Sequence, residues 1–112
     1  MNYVFLIYAD EAAVGALTAA ERREIVDGHM AVYRELAERG TLRFAAPLAD
    51  SPATRTLGPD GLITDGPYAE TKEQLGSVYV VDCADAAAAE ALAKRFPAAP
   101  GHHIEIREAP EV

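Results

Sequence analysis

The sequence predicts one α+β domain, an antiparallel sheet with two helices on one of its faces. Three observations lead there. The apolar patterns alternate as β-α-β-(hairpin)-β-α-β, the split order of a ferredoxin-like sandwich. The chain has 112 residues, room for one hydrophobic core and not for two. Half of the residues are apolar and a quarter charged, an ordinary globular balance with no repeat, low-complexity tract or linker to divide it.

Residues 3–8, Tyr-Val-Phe-Leu-Ile-Tyr, form an unbroken apolar run that suits a strand covered on both faces. An acidic, alanine-rich loop follows from Asp10 to Leu17. Thr18 and Glu21 then have capping-box spacing and open a helix to about Arg39, with an apolar stripe expected at Ile25, Val26, Met30, Tyr33, Leu36 and Ala37. Gly40 is its natural stop, and Gly28, unfavourable inside a helix by about 1 kcal/mol, marks an expected close contact. Leu42 to Leu48 is the second strand. Residues 54–64 read as a hairpin turning at Gly58-Pro59-Asp60-Gly61. A charged loop from Asp65 to Gly76 precedes a strand at Ser77–Val81. Asp85 caps a second helix, Ala86 to Phe96, ended by Pro97, and His102 to Glu108 is the last strand.

Alternation in the first strand sends Tyr3, Phe5 and Ile7 one way and Val4, Leu6 and Tyr8 the other, while Val78 and Val80 oppose Tyr79 and Val81. Both sheet faces are therefore apolar, yet two helices cover one. The same face of a second copy is the simplest cover, so a homodimer is expected. Eighteen acidic residues against ten basic ones give a formal charge of −8, a field that repels phosphate backbones and anionic lipid; neither nucleic acid nor membrane is expected as a partner. Cys83 is the lone cysteine, which excludes an internal disulfide and suits a reducing compartment. The apolar N-terminus lacks a preceding basic residue and stops at Ala9-Asp10, so it reads as a strand rather than a signal, and the expected location is cytoplasmic.

The segment Asp65-Gly-Pro-Tyr-Ala-Glu-Thr-Lys-Glu-Gln-Leu-Gly76 closely resembles the signature of the DGPF proteins, a branch of the YCII-related family, with Tyr68 where phenylalanine is usual. Tyr3–Tyr8 is similar to the family's first strand. Arg23 to Leu48, with His29-Met30, Leu36, Gly40 and Ala46-Pro47-Leu48, is similar to the helix and second strand of the wider group. The resemblance covers nearly the whole chain. It implies a ferredoxin-like dimer, the dimeric α/β barrel, and a link in some members to extracytoplasmic-function sigma factors. It also implies a histidine–aspartate pair in a cleft. His29 matches the histidine; the position after Gly40, where several relatives place the aspartate, is Thr41 here.

Among residues that could carry chemistry, His29 lies on the helix face with Ile25 and Tyr33, where burial favours a neutral imidazole suited to general-base work. Its acidic partner is then expected from Asp65 or Asp10. The loop places Asp65, Glu70, Lys72 and Glu73 within nine residues. It reads either as a cleft wall with Lys72 drawing an anionic group, or as a clasp that pairs its own charges, with Tyr68 packed beneath the turn. Tyr8, Asp10, Tyr68, Glu70, Lys72 and Glu73 are the candidate ligand-binding residues, with His29 and Asp65 as candidate catalytic ones. No metal or cofactor is expected: His102 and His103 leave opposite faces of a strand, and Gly58–Gly61 lacks the phosphate-cradle pattern. Cys83 sits between Asp82 and Asp85, which disfavour its thiolate. The resulting reading is a homodimeric small-molecule-binding domain, in its catalytic form an enzyme using His29 in a cleft. The contrasting one is a non-catalytic interaction module tied to sigma-factor regulation.

Overall fold

The computed structural model describes residues 1–111. In chain order the elements are β1 (Asn2–Asp10), α1 (Glu11–Gly15), α2 (Ala19–Glu38), β2 (Leu42–Pro47), a 3-10 turn (Ser51–Ala53), β3 (Arg55–Leu57), β4 (Ile63–Asp65), β5 (Glu73–Asp82), α3 (Ala86–Ala93) and β6 (His103–Ala109). Four strands form one antiparallel sheet in the order β2-β5-β1-β6, and β3 and β4 pair only with each other as a separate hairpin. This is the expected ferredoxin-like order. No helix among the described residues is long and apolar enough to cross a membrane.

β1 and β5 are central because their side chains are apolar on both faces. On the helix side Phe5 and Val81 are fully buried, joined by Tyr3, Ile7 and Tyr79 from the sheet, Val32 and Leu36 from α2, and Ala89, Leu92 and Ala93 from α3. Phe96 fills the centre, edge-on to Phe5 (6.0 Å between centroids) and Tyr79 (4.8 Å).

The capping signals do what their spacing implies. Thr18 Oγ1 accepts from Glu21 N at 3.1 Å and Glu21 Oε1 from Thr18 N at 2.9 Å. α2 ends in a Schellman motif, with Gly40 at φ +71°, Gly40 N donating to Ala37 O and Thr41 N to Leu36 O. Asp85 caps α3 through Ala88 N at 2.8 Å. Arg95, just past α3, donates to Glu35 at 2.6 Å and ties the two helices together.

Several expectations are corrected. β1 runs on to Asp10, and a short helix replaces the start of the acidic loop. α3 stops at Ala93, so that Phe96 belongs to the following turn. β5 starts at Glu73 instead of Ser77, because a bulge lets the strand continue: the register passes from Ile7↔Ser77 to Tyr8↔Leu75, leaving Gly76 as the extra residue. Asp65 is thus in β4, and the true loop is 66–72. The inward seam of α2 is Ile25, Gly28, His29, Val32 and Leu36, whereas Val26, Met30, Tyr33 and Ala37 form the next seam, one residue on, and are exposed. A step of 100° per residue makes adjacent seams equally periodic, so the pattern alone did not choose between them.

Gly28 does sit at a close contact: an added Cβ would lie 2.9 Å from Pro97 Cγ. Gly28→Ala should therefore fail to deliver the roughly 1 kcal/mol that helix propensity alone offers. Urea denaturation giving the full gain would show that Pro97 yields freely.

Candidate functional site

The acidic end of β1 is built by Asp10, the one buried charged residue among the described residues, at 7% exposure. Its Oδ1 accepts from Ala13 N at 3.1 Å and caps α1, its backbone N donates to Pro100 O at 2.9 Å, and its Oδ2 lies 3.7 Å from Lys72 Nζ. Asp10 is also the strand partner of Glu73. Gly101 packs against both. With φ +73°, its added Cβ would come within 2.8 Å of Asp10 N and Cβ and 3.2 Å of Glu73 Cγ. The next residue, Glu11, reaches 40 positions along the chain, accepting from Ser51 N at 2.7 Å and from the Ser51 hydroxyl. Three segments are thus drawn to the end of β1.

Loop 66–72 is organised by backbone contacts. Gly66, at φ +93°, donates to Thr54 O at 2.7 Å and accepts from the Thr56 hydroxyl at 2.8 Å. Gln74 Nε2 donates to Ala69 O (3.0 Å) and Thr71 O (2.8 Å). Lys72 finds its carboxylate in Asp10, outside the loop. Glu70 is exposed and Glu73 half-buried. Tyr68, expected beneath the turn, instead stands in solvent at 91% exposure. Beside it lies a cleft of about 430 Å3 between the hairpin base and β5, walled by Leu48, Thr54, Thr56, Pro67, Tyr68 and Leu75. No charged side chain lines it.

His29 occupies a different place. It faces inward from α2 with its ring 5.5 Å from Phe96, centroid to centroid. Burial, then the neighbouring His102, holds its pKa below the ordinary value, and no carboxylate contributes. His102 is lowered likewise, by burial and then His103. Asp65 is on the hairpin, its side chain 91% exposed and 3.3 Å from Arg55 Nε. One chain therefore brings together neither His29 and Asp65 nor His29 and the loop. Tyr8 lies half-buried on the sheet face without helices, where Glu105 raises its pKa by hydrogen bonding, ahead of burial.

Sequence reasoning united Asp10, Lys72 and Glu73 only in part and missed Glu11, Ser51, Gly101 and Gln74. Glycine before a strand is the one local signal at Gly101; the Glu11–Ser51 bond has none, since nothing at either position refers to the other. His102 comes near enough to His29 to act on it, a relation that its adjacency to His103 in sequence does not reveal. Burial and Asp82 push the Cys83 thiol up, against a nucleophilic role. A depression of about 510 Å3 lies beside the N-terminus, where Asp82 already holds the terminal amine and Arg43, each at 2.9 Å.

Asp10→Ala should cost about 1–2 kcal/mol in urea denaturation through the lost cap, and Lys72→Ala less than about 1 kcal/mol, since its ion pair is long and its ammonium end exposed. Equal losses would mean that the pair, and not the cap, holds this end. A second expectation follows from the histidines. With folded pKa values below the unfolded value near 6.5, His29 and His102 bind fewer protons folded than unfolded, so their stability contribution is full above about pH 6.5 and declines as pH falls below it. His29→Gln should shrink the drop in melting temperature between pH 7 and pH 5; an unchanged drop would assign it to other groups.

Two comparisons with known proteins bear on this geometry. The chain is 38% identical over 87 residues to an uncharacterized protein of Rhizobium meliloti (strain 1021), a match that spans 75% of this chain and 70% of that protein. The family model described as the YCII-related domain matches residues 1–111. With the fold and nearly the entire length in agreement, the chain belongs to the YCII-related domain family.

Proposed function

We propose that this chain acts as a homodimeric small-molecule-binding domain, with one cleft per subunit for a neutral, largely apolar ligand. The observation that carries the reading is the uncovered sheet face. Strand pairing puts Val4, Leu6 and Tyr8 of β1 beside Val78 and Val80 of β5, and these beside Phe44 and Ala46 of β2. Six of the seven are half-buried without any helix over them, and Phe44 is 57% exposed. An apolar patch of this continuity on a soluble chain favours association, and the two-fold dimer is the simplest closed form.

The cleft beside Tyr68 adjoins this face through Leu75, the strand partner of Tyr8. Its volume of about 430 Å3 suits a small ligand. Its walls are aliphatic, aromatic, hydroxyl-bearing and, at Gln74, amide-bearing; Thr56 already spends its hydroxyl proton on Gly66, and Gln74 its amide protons on Ala69 and Thr71. Lys72 has Asp10 beside it, which offsets its attraction for an anion. Those features favour an uncharged aromatic or aliphatic molecule with one or two polar groups.

Light scattering at micromolar concentration should give the mass of two chains. A thermal-shift screen should favour neutral aromatic compounds over anionic ones of equal size, and Tyr68→Ala should abolish the shift without altering the unliganded melting temperature. Monomer mass would remove the dimer; a response confined to anions would remove the neutral cleft.

A further inference from the structure

The hairpin β3–β4 is the part of the molecule least accounted for by its own fold. Its strands are three residues each and form a two-stranded sheet apart from the main one. A free two-stranded hairpin is marginal in water. Its apolar side chains find no cover: Leu57 is 68% exposed, Leu62 66% and Ile63 56%. Leu57 and Ile63 are register partners, so both project from one face of the hairpin. The radius of gyration is 15.3 Å, against about 13 Å for a compact chain of similar length, as expected when an arm stands off the body.

We propose that this hairpin is an arm that packs its Leu57–Ile63 face on a second copy of the chain, enlarging the sheet-to-sheet contact of the dimer. The inference rests on the dimer reading above. Two observations single out a second copy as the occupant. The first is continuity. The arm leaves the body after β2 and returns into β5, the strands that carry Phe44, Ala46, Val78 and Val80, whereas the opposite edge, β6, presents Glu105 and Arg107 on the same sheet face. The apolar patch is therefore off-centre, toward the root of the arm, and the arm prolongs it.

The second is area. Four strands at about 4.8 Å spacing, with six paired residues at about 3.3 Å rise, make a footprint of roughly 400 Å2. A standard stable interface removes about 800 Å2 from each partner. The flat footprint of the sheet face is thus about half of that accessible area, before side-chain relief is added to it. An arm bearing three large aliphatic side chains, each more than half exposed, adds apolar area beside the strands that carry this patch.

Sedimentation equilibrium of the full chain tests this with two variants, Leu57→Asp/Ile63→Asp in the arm and Phe44→Glu on the sheet face. These positions are all exposed, so circular dichroism should report an unchanged fold for both. The expected result is a dimer for the native chain, with each variant raising the dissociation constant at least about tenfold. A native dimer weakened by Phe44→Glu and untouched by the arm variant overturns the arm and leaves the sheet-face dimer standing. A dimer weakened by the arm variant alone upholds the arm and overturns the sheet face. A native monomer overturns both. An independent readout is Leu57→Cys in a Cys83→Ala background: alkylation of that thiol, on the proposed contact face, should slow as protein concentration rises through the dissociation constant, and a concentration-independent rate would overturn the arm contact.

Discussion

The two-sided apolar character of β1 and β5 is the constraint on which the rest of the molecule depends. These central strands alternate apolar residues to both faces, and the chain supplies helices for one. On the covered side the result is a dry core around Phe5, Leu36 and Val81. On the other, Val4, Leu6, Val78 and Val80 stay half-buried. The cleft beside Tyr68 adjoins this second face through Leu75, the strand partner of Tyr8.

The covered side is locked from the turn after α3. Phe96 touches Phe5, Tyr79 and His29, and Pro97 presses against Gly28. Helix α2 can approach that closely because Gly28 has no side chain to hold it off. The same approach determines the surroundings of His29: an aromatic ring and another histidine, both of which favour the neutral imidazole. Packing accounts for its position without a catalytic partner in the same chain, and the absence of a carboxylate influence agrees with that.

The loop that carries the DGPF-like segment is mainly a device for turning the hairpin back into β5. Gly66 supplies a left-handed backbone, Gln74 closes the loop on two carbonyls, and Lys72 reaches the buried Asp10. Tyr68 is the exception, held outward by an otherwise well-tied segment.

The strand and helix order, the cap at Thr18, the stop at Gly40 and the apolarity of both sheet faces were legible in the residues, because each depends on local periodicity or on neighbours within a few positions. The seam that α2 buries was not: Ile25–His29–Val32–Leu36 and Val26–Met30–Tyr33–Ala37 are both regular, and contact with Phe96 and Pro97 decides between them. Nor was the partner of Lys72, nor the Glu11–Ser51 bond, nor the separation of His29 from Asp65. Those are distances between segments far apart in sequence, and the residues at one end carry no physical mark of the other. The family resemblance and the fold were thus determined by sequence, while which side chains share a site was decided only when the bulge at Gly76 and the close approach at Gly101 brought three segments to the end of β1.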